Sequence, residues 1–316
     1  MKRTTSVLAV ALAALSAACA VGSAPPNEEV ATDSASLGTC PQSWTQYTMG
    51  TRESTKSNEA SGLAASRKNQ GVLWTHDDSG DSARVFAMTY YGDHLGIYNL
   101  SGAGFVDWED MGIGVVDGAW HLFLADIGGN DPRQDVQVYV VPEPNVSETQ
   151  SPVTKTITGT RLLNLHYPDG AHNAESLFVD PRDGALYVIT KSTDGLSKVF
   201  KKNAPHLHGS VTTLVQVAQL DFAKAPLFTG NQDTRRAATA ADISPDGSEI
   251  VVKTKYSTFL WRRSSTQTIA QAFATTPCPL PNGVGEAIAF APSGKHLFTT
   301  DQDVHSEVFL FYREGN

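Results

Sequence analysis

The feature that most restricts the fold of this chain is an internal repeat. Five segments share one layout, in which a small or acidic residue leads into a short apolar strand, a turn and a second apolar strand. The first strands contain the runs SGLA, EDMG, ESLF, ADIS and EAIAF, which begin at Ser61, Glu109, Glu175, Ala241 and Glu286. A repeat of this kind is a supersecondary unit that buries its apolar face only against neighbouring copies. The chain is therefore expected to fold by repetition around one core.

The turns within the repeats have hairpin chemistry. The sequences DG, DPRDG, SPDG and PSG stand at 117–118, 180–184, 244–247 and 292–294. Glycine accepts positive φ and proline presets the first turn position, so each site favours a chain reversal. Two further β-like runs follow each of the first four strand pairs, and four-stranded sheets repeated around an axis are typical of a β-propeller. No helical periodicity longer than two turns occurs beyond the N-terminal residues.

The strand count predicts an all-β propeller of five four-stranded blades. The fourth strands of the second, third and fourth repeats are expected at 156–165, 212–220 and 268–273. The last repeat has a single further run, so an N-terminal strand at 44–48 is expected to complete that blade and close the ring. Closure removes two sheet edges that would otherwise be exposed to aggregation. A sixth blade remains open, because the weakly patterned stretch 222–240 could contain strands.

The N-terminal residues have the pattern of an export signal. Lys2 and Arg3 precede nine apolar residues, 7–15, which are too few to span a bilayer. Small residues then lead to Cys19, as in bacterial lipoprotein signals whose cysteine is lipidated, although the Ala-Cys-Ala run also fits ordinary secretory cleavage. We predict a protein that is exported, and either lipid-anchored in the cell envelope or secreted. Its predicted parts are a signal at 1–19, a disordered tether at 20–39 and a propeller domain at 40–316.

Two cysteines, Cys40 and Cys278, lie in the predicted domain. In an oxidising compartment they favour one disulfide, and two separate thiols are the alternative. The net charge of −9 argues against nucleic acid or an anionic lipid surface as a partner. Contact with a membrane is therefore expected only through an anchor at Cys19, and the domain is expected to be a monomer.

Two sets of polar loops are expected to meet at one mouth of the central channel, which we name the top face. The loop that enters each innermost strand opens there, and so does the loop between the second and third strands. Carboxylates crowded together must bind a cation, pair with bases or raise their pKa values. Oxygen ligands without a cysteine cluster select a hard ion, Ca²⁺ first and Mg²⁺ or Mn²⁺ second. The predicted metal ligands are Asp107, Glu109, Glu175, Glu286, Asp126 and Asp77.

Basic residues of the same loops are expected to bind a ligand, and they are Arg133, Lys191, Lys253 and His172. Other roles stay open, since the glutamates could accept backbone hydrogen bonds and the lysines could only neutralise the acids. Asp77, Ser79 and Asp81 have the 1, 3, 5 spacing of an EF-hand loop. Ser82 and Met88 stand where that loop needs glycine and glutamate, so the segment is not an EF-hand.

The ordered motifs of the repeat resemble those of one bacterial family. They are WTHDDSGDSARVFAM, VDWEDMGIG, ADIGGNDPRQD with VYVVPEP, NAESLFVDP, ALYVITK, AADISPDG and GEAIAFAPSGK. This set is similar to exported propellers grouped with the "esterase-like activity of phytase" domains, over about Glu59 to Asp301. Propeller phytases hold Ca²⁺ ions at the channel mouth and use them to bind phosphate and activate water. The chain departs from true propeller phytases in lacking their D-D-P-A segment, because Ser-Gly follows Asp77-Asp78.

The resemblance implies roles for particular residues of this chain. The implied metal ligands are Asp107, Glu109, Glu175 and Glu286. The residues implied to contact phosphate oxygens are Arg133, Lys191 and Lys253. These assignments agree with the loop analysis in placing the site at the top face.

Two functions from different classes follow from these observations. The favoured one is an exported module that binds a small molecule or a protein at the top face, with a Ca²⁺ ion in the acidic site. The alternative is a metal-dependent phosphoesterase or esterase, in which the ion polarises the ester and lowers the pKa of bound water. The sequence has no G-x-S-x-G, H-E-x-x-H or C-x-x-C motif that would indicate another chemistry.

Overall fold

The structure of the protein, a computed structural model, describes residues 40–41, 43–129, 131–222, 236–280 and 285–314. The predicted signal and tether, with Cys19, lie outside the described residues. So does most of the weakly patterned stretch in which a sixth blade could have been hidden. In the described part of the chain, no helix is long and apolar enough to cross a membrane.

Each repeat folds as an antiparallel sheet whose first strand lies innermost. The inner strands are β2 (Ala60–Ala65), β6 (Trp108–Val116), β11 (Ala174–Val179), β16 (Ala238–Ile243) and β20 (Ala287–Phe290). The second strands are β3 (Val72–Asp77), β7 (Ala119–Asp126), β12 (Leu186–Thr190), β17 (Glu249–Thr254) and β21 (Leu297–Thr300). The third strands are β4 (Arg84–Thr89), β8 (Asp135–Pro142), β13 (Leu196–Lys202), β18 (Thr258–Arg262) and β22 (Glu307–Arg313). The fourth strands are β5 (His94–Leu100), β10 (Arg161–His166), β15 (Val215–Asp221), β19 (Cys278–Leu280) and β1 (Trp44–Thr51).

The five sheets are the blades of a ring. Each inner strand contacts the inner strands of both neighbouring blades, and the contacts run without a break from β2 through β6, β11, β16 and β20 back to β2. Apolar side chains fill the spaces between adjacent blades. Small residues let the blades approach closely, since a Cβ atom at Gly112 would lie 2.9 Å from Leu177 Cδ2 of the next blade. The predicted five-bladed β-propeller is confirmed in the described residues.

The N-terminal strand closes the ring, as the sequence predicted. β1 pairs antiparallel with β22, so that Thr45 lies opposite Tyr312. Arg52, which directly follows β1 and is buried, donates hydrogen bonds to the backbone oxygens of Asp301 and Gln302, each at 3.1 Å. The start of the domain is therefore attached to the last blade along the whole of β1 and, through Arg52, just after β1 ends.

A disulfide joins Cys40 to Cys278, with the two Cα atoms 5.4 Å apart. Cys40 precedes the closing strand β1, and Cys278 is the first residue of β19, the outer strand of blade 4. The predicted disulfide is confirmed, and the alternative of two separate thiols is excluded. The bond links the segment before the closing strand to the neighbouring blade 4, while the pairing with β22 holds that strand in blade 5.

The predicted fourth strands are corrected in three blades. The run 156–165 is divided by Gly159, whose φ is +83°, and its first part belongs to β9 (Val153–Ile157), a fifth strand parallel to β5 in blade 1. Likewise β14 (Ser210–Thr213) pairs parallel with β10 of blade 2. The run 268–273 forms a short helix, α1 (Ile269–Phe273), because Thr268 and Gln271 make a capping box. Period-2 patterning alone did not reveal which sheet an outer strand joins.

A β-bulge recurs near the start of four inner strands. In each of these strands one residue has no partner in the register with the second strand. These residues are Ser61, Glu109, Glu175 and Thr239. A bulge bends the strand and changes the direction of a side chain. The corresponding position in blade 5 is Glu286, directly before β20. The repeat therefore brings one position of every blade to the same end of the ring.

Candidate functional site

The five equivalent positions form a polar ring at the top face. Three are carboxylates and two are hydroxyls. Both hydroxyls donate hydrogen bonds to the backbone of an adjacent blade. Ser61 Oγ donates to the backbone oxygen of Glu109, and Thr239 Oγ1 donates to the backbone oxygen of Glu286 at 3.3 Å. The glutamates Glu109 and Glu175 are buried and Glu286 is half-buried. The bulges at Glu109 and Glu175, and the matching position of Glu286 before β20, thus bring three acids to one end of the ring.

Three carboxylates come close enough to share an ion. Asp78 follows β3 in blade 1, Asp107 lies in the loop that enters β6, and Glu109 is the bulge residue of β6. One oxygen of each lies within 4.8 Å of the others. We call these residues the carboxylate trio, and with Glu175 and Glu286 they form the acidic mouth.

The absence of a side chain at Gly128 leaves room for the Glu109 carboxylate. A Cβ atom there would lie 2.0 Å from Glu109 Oε1 and 2.6 Å from its Cγ. The Gly128 N–H donates to the backbone oxygen of Asp107 at 3.2 Å, which fixes the two loop segments relative to each other. Any larger residue at this position would displace the Glu109 carboxylate.

The electrostatics of the acidic mouth favour protons or cations. Burial, followed by the neighbouring charge of Asp78, raises the pKa of Asp107 to about 6. Burial raises the pKa of Glu109 well above its usual range, and the carboxylates of Glu175 and Asp78 add to the effect. Burial raises the pKa of Glu175 to about 7 despite the opposing charge of Lys191. Negative charge in the acidic mouth is therefore only partly compensated by the protein.

Lysines supply much of the compensation that is present, and the charge of Arg133 also acts on Asp107. Lys191 Nζ makes an ion pair with Glu175, and Lys255 Nζ lies 3.3 Å from Glu286 Oε1. Burial opposes the charged form of Lys191, yet the attraction of Glu175 and the other glutamates raises its pKa. Burial lowers the pKa of Lys253 to about 8, against the attraction of Asp301 and Glu286. These lysines neutralise part of the mouth, whereas the carboxylate trio has no lysine in ion-pair contact among the described residues.

Two predicted ligands, Asp77 and Asp126, lie outside the carboxylate trio. They end the second strands of blades 1 and 2 and are buried. Asp77 accepts hydrogen bonds from Ser57 Oγ at 2.8 Å and from the Asn58 N–H at 3.2 Å. Asp126 accepts from the Asp107 N–H at 3.1 Å and pairs with Arg133 at 2.8 Å. Both aspartates thereby hold the loops that lead into the inner strands.

Arg133 and His172 brace the same loops. The Arg133 guanidinium donates to the backbone oxygen of Gly128 at 2.8 Å, and the Arg133 N–H donates to the backbone oxygen of His172 at 3.1 Å. His172 Nε2 lies 2.8 Å from Asp169 Oδ1. A cavity of about 420 Å³ lies beside Lys191 and is lined by His172. The structure therefore places Lys191 and His172 where a ligand has room, with Arg133 bonded to protein groups.

Asp78 is the site residue that the sequence analysis left out of its ligand set. Adjacent residues at the end of an extended strand point to opposite sides. Asp77 is held by Ser57 and Asn58, and Asp78 is the one that joins Asp107 and Glu109. To choose Asp78 rather than Asp77 as the ligand from the sequence, one would have to know which side of β3 contacts the loop 57–58.

The fold and the site together define a five-bladed β-propeller with an acidic mouth at its top face. No protein-family model matches the chain. No curated protein matches it either. The chain is similar to a chain in a solved structure, the crystal structure of a nidogen/laminin complex, with 16% sequence identity and a TM-score of 0.44 over 78% of this chain and 73% of that one. The resemblance to the phytase-like propellers accordingly rests on the sequence motifs alone.

Proposed function

We propose that the acidic mouth binds a divalent cation, Ca²⁺ in the first place, and that the protein is an exported module that holds a ligand at its top face. The observation that carries this proposal is the spacing of the carboxylate trio. Ca²⁺ lies about 2.3–2.6 Å from its oxygen ligands, so oxygens within about 5 Å of one another can contact one ion. The donor set of Asp78, Asp107 and Glu109 fits that requirement.

The choice of ion follows from the ligands and their flexibility. Carboxylate oxygens are hard donors, which exclude a preference for softer metals. Mg²⁺ requires a tighter octahedron, with oxygens about 2.0–2.1 Å from the ion, so it is the weaker candidate, along with Mn²⁺. A bound cation would also favour the ionised forms of Asp107, Glu109 and Glu175, whose pKa values are raised without it.

Binding is favoured over catalysis because the basic groups are already engaged. Arg133 is paired with Asp126, Lys191 with Glu175 and Lys255 with Glu286. A ligand in the adjacent cavity would meet Lys191 and His172, which line it. The disulfide is typical of an oxidising compartment outside the cytosol and supports export.

A metal-dependent ester hydrolase is the second candidate, and one observation favours it. Glu175 has a pKa of about 7 and lies beside Lys191 and Glu109, so it could exchange a proton at neutral pH. A cation in the trio would supply the polarisation of an ester oxygen. Of the chain's own residues, Glu175 would hold or release the proton and Lys191 would orient an anionic group.

Calorimetric titration of the metal-free protein with CaCl₂ tests the cation site. Asp78→Asn and Asp107→Asn each remove one charge of the trio and should weaken binding by about tenfold or more. Asp131→Asn is the matched control, because Asp131 is an exposed aspartate in a loop of the same face. Absence of Ca²⁺ binding in the unmodified protein, or equal binding in all four proteins, would refute the site.

Turnover of p-nitrophenyl phosphate and p-nitrophenyl acetate, with Ca²⁺, Mg²⁺ or Mn²⁺ present, separates the two candidates. The binding module predicts no hydrolysis above that of the buffer with ion. The hydrolase predicts metal-dependent hydrolysis that Glu175→Gln abolishes and Asp131→Asn leaves unchanged.

A further inference from the structure

We propose a second ligand site, on the face opposite the acidic mouth, which binds a small organic carboxylate with an apolar body. The site is a cleft between blades 5 and 1 with a volume of about 510 Å³, which is in the usual range for small-molecule sites. The turn between β2 and β3 and the turn between β20 and β21 form its walls. We name it the basal cleft, and its main lining residues are Arg67, Lys68, Tyr90, His296, Phe298 and Leu310.

The charge of the basal cleft is opposite to that of the chain. The protein carries a net charge of −9, and five carboxylates crowd its top face. Among the described residues that line the basal cleft, however, there is no aspartate or glutamate, whereas Arg67 and Lys68 are cations. The Glu143 carboxylate lies behind this lining, where it accepts hydrogen bonds from Ser66 and Asn69, so Arg67 and Lys68 are the charges that a ligand in the basal cleft would meet.

Arg67 is the group that would recognise the anion. Its Nη1 donates to the backbone oxygens of Ala65 at 3.1 Å and Phe290 at 3.0 Å. Within the described residues no carboxylate lies in ion-pair contact with this guanidinium, and the attraction of Asp242 and Glu143 acts from farther away. A largely desolvated guanidinium with neutral acceptors on one side can offer its remaining donors to a carboxylate as a planar fork.

The turn that carries Arg67 is fixed before any ligand arrives. Ser66 Oγ accepts hydrogen bonds from the N–H groups of Lys68 at 3.2 Å and Asn69 at 2.7 Å. The Asn69 side chain donates to the backbone oxygen of Pro144 at 2.9 Å and accepts from the Val146 N–H at 3.0 Å. Because the turn is already ordered, ligand binding loses little conformational entropy there.

The rest of the basal cleft suits an apolar body. The rings of Tyr90 and Phe298 lie 4.5 Å apart between centroids, and Leu310 is partly buried beside them. His296 Nδ1 accepts a hydrogen bond from the Arg313 N–H at 3.2 Å, so the neutral imidazole carries its proton on Nε2 and is a donor. The geometry fits a carboxylate near Arg67 with a short aliphatic or aromatic chain along Tyr90.

The test compares an anion with its uncharged analogue. Octanoate and octanamide are titrated into the full-length protein by calorimetry, with and without EDTA. We expect octanoate to bind at least tenfold more tightly than octanamide, because charge-assisted hydrogen bonds to Arg67 are lost in the amide. EDTA should leave octanoate binding unchanged, since the basal cleft is separate from the acidic mouth. Equal affinity for the two compounds, no binding of octanoate, or loss of its binding in EDTA would overturn the proposal.

Variants locate the binding in the basal cleft. Arg67→Gln should weaken octanoate binding about tenfold or more. Arg182→Gln is the matched control, because Arg182 donates to the backbone oxygens of Asp246 and Ser264 at 3.0 and 2.8 Å but is exposed and lies outside the lining of the basal cleft. If Arg67→Gln unfolds, Ser293→Trp decides, since this exposed rim residue would obstruct the basal cleft and abolish binding without altering a buried group. Undiminished octanoate binding in Ser293→Trp would refute the site.

Discussion

At the scale of single residues, the acidic mouth depends on what each carboxylate touches. Asp77 and Asp126 are buried acids whose oxygens are occupied by backbone and hydroxyl donors. Asp78, the residue after Asp77, and Glu109 face other carboxylates instead. Carboxylates at this face thus have different roles, because protein donors hold Asp77 and Asp126 in place, whereas Asp78 and Glu109 face other carboxylates with which they could share an ion.

Gly128→Ala tests the space around Glu109. The new methyl group would collide with the Glu109 carboxylate, which should move and weaken Ca²⁺ binding about tenfold or more. Calorimetric titration measures the affinity. The melting temperature in EDTA should stay close to that of the unmodified protein, which would exclude general unfolding as the cause. Unchanged affinity in Gly128→Ala would mean that Glu109 is not a ligand.

At the scale of elements, the inner-strand bulge and the closing strand do different work. The bulge recurs at the same place in four blades, so a single structural device directs Glu109 and Glu175 to the mouth. The closing strand β1 pairs with β22. The disulfide at Cys40 holds the chain before β1, and the hydrogen bonds of Arg52 hold it after β1. The bulge therefore builds the site, and β1 maintains the ring that holds it.

Loss of the disulfide should destabilise the ring without changing its fold. The bond closes a loop with a sequence separation of 238 residues, and native disulfides of this kind contribute about 2–5 kcal/mol to the free energy of unfolding. A Cys40→Ser, Cys278→Ser double variant should therefore unfold at a lower urea concentration than the oxidised protein. Dithiothreitol should lower the midpoint of the unmodified protein and leave that of the variant unchanged. Equal midpoints for the two proteins would show that the bond adds no stability.

At the scale of the whole molecule, the ring brings together charges that are far apart in sequence. Asp78 and Glu286 are separated by nearly the whole domain, yet both act on Glu175. The cost of this arrangement is a dependence of stability on pH. In the unfolded chain Glu175 ionises near its usual pKa of 4.5, while in the folded protein it keeps its proton up to about pH 7. The folded state thus binds more protons in that interval, and its stability falls as pH rises.

Thermal unfolding in EDTA should show this dependence. The melting temperature of the metal-free protein should decrease between about pH 4.5 and pH 7, with Asp107 contributing up to its pKa of about 6. Ca²⁺ should raise the melting temperature most at pH 7 and above, where the carboxylates are ionised. Glu175→Gln, which cannot ionise, should flatten the profile in EDTA. A melting temperature that rises through this interval in EDTA would contradict the assignment of Glu175.

Much of this architecture was predictable from local patterns. The repeated strand pairs, the turns with glycine and proline, and the unpaired last blade indicated five blades and a closing N-terminal strand. Glu109, Glu175 and Glu286 were found because the repeat places them at equivalent positions. The outer strands were less predictable, since the sequence 153–157 has the same alternation whether it joins blade 1 or blade 2.

The sequence by itself determined the blade repeat, the two cysteines available to the domain for a disulfide and three acids of the mouth, Glu109, Glu175 and Glu286, because each depends on residues whose spacing repeats or whose type is rare in the chain. Only the tertiary structure decided that Asp78 rather than Asp77 joins Asp107 and Glu109, and that Arg67 lines a cleft across from them. Those relations arise between different blades, where distances follow from packing around the ring and not from separation along the chain.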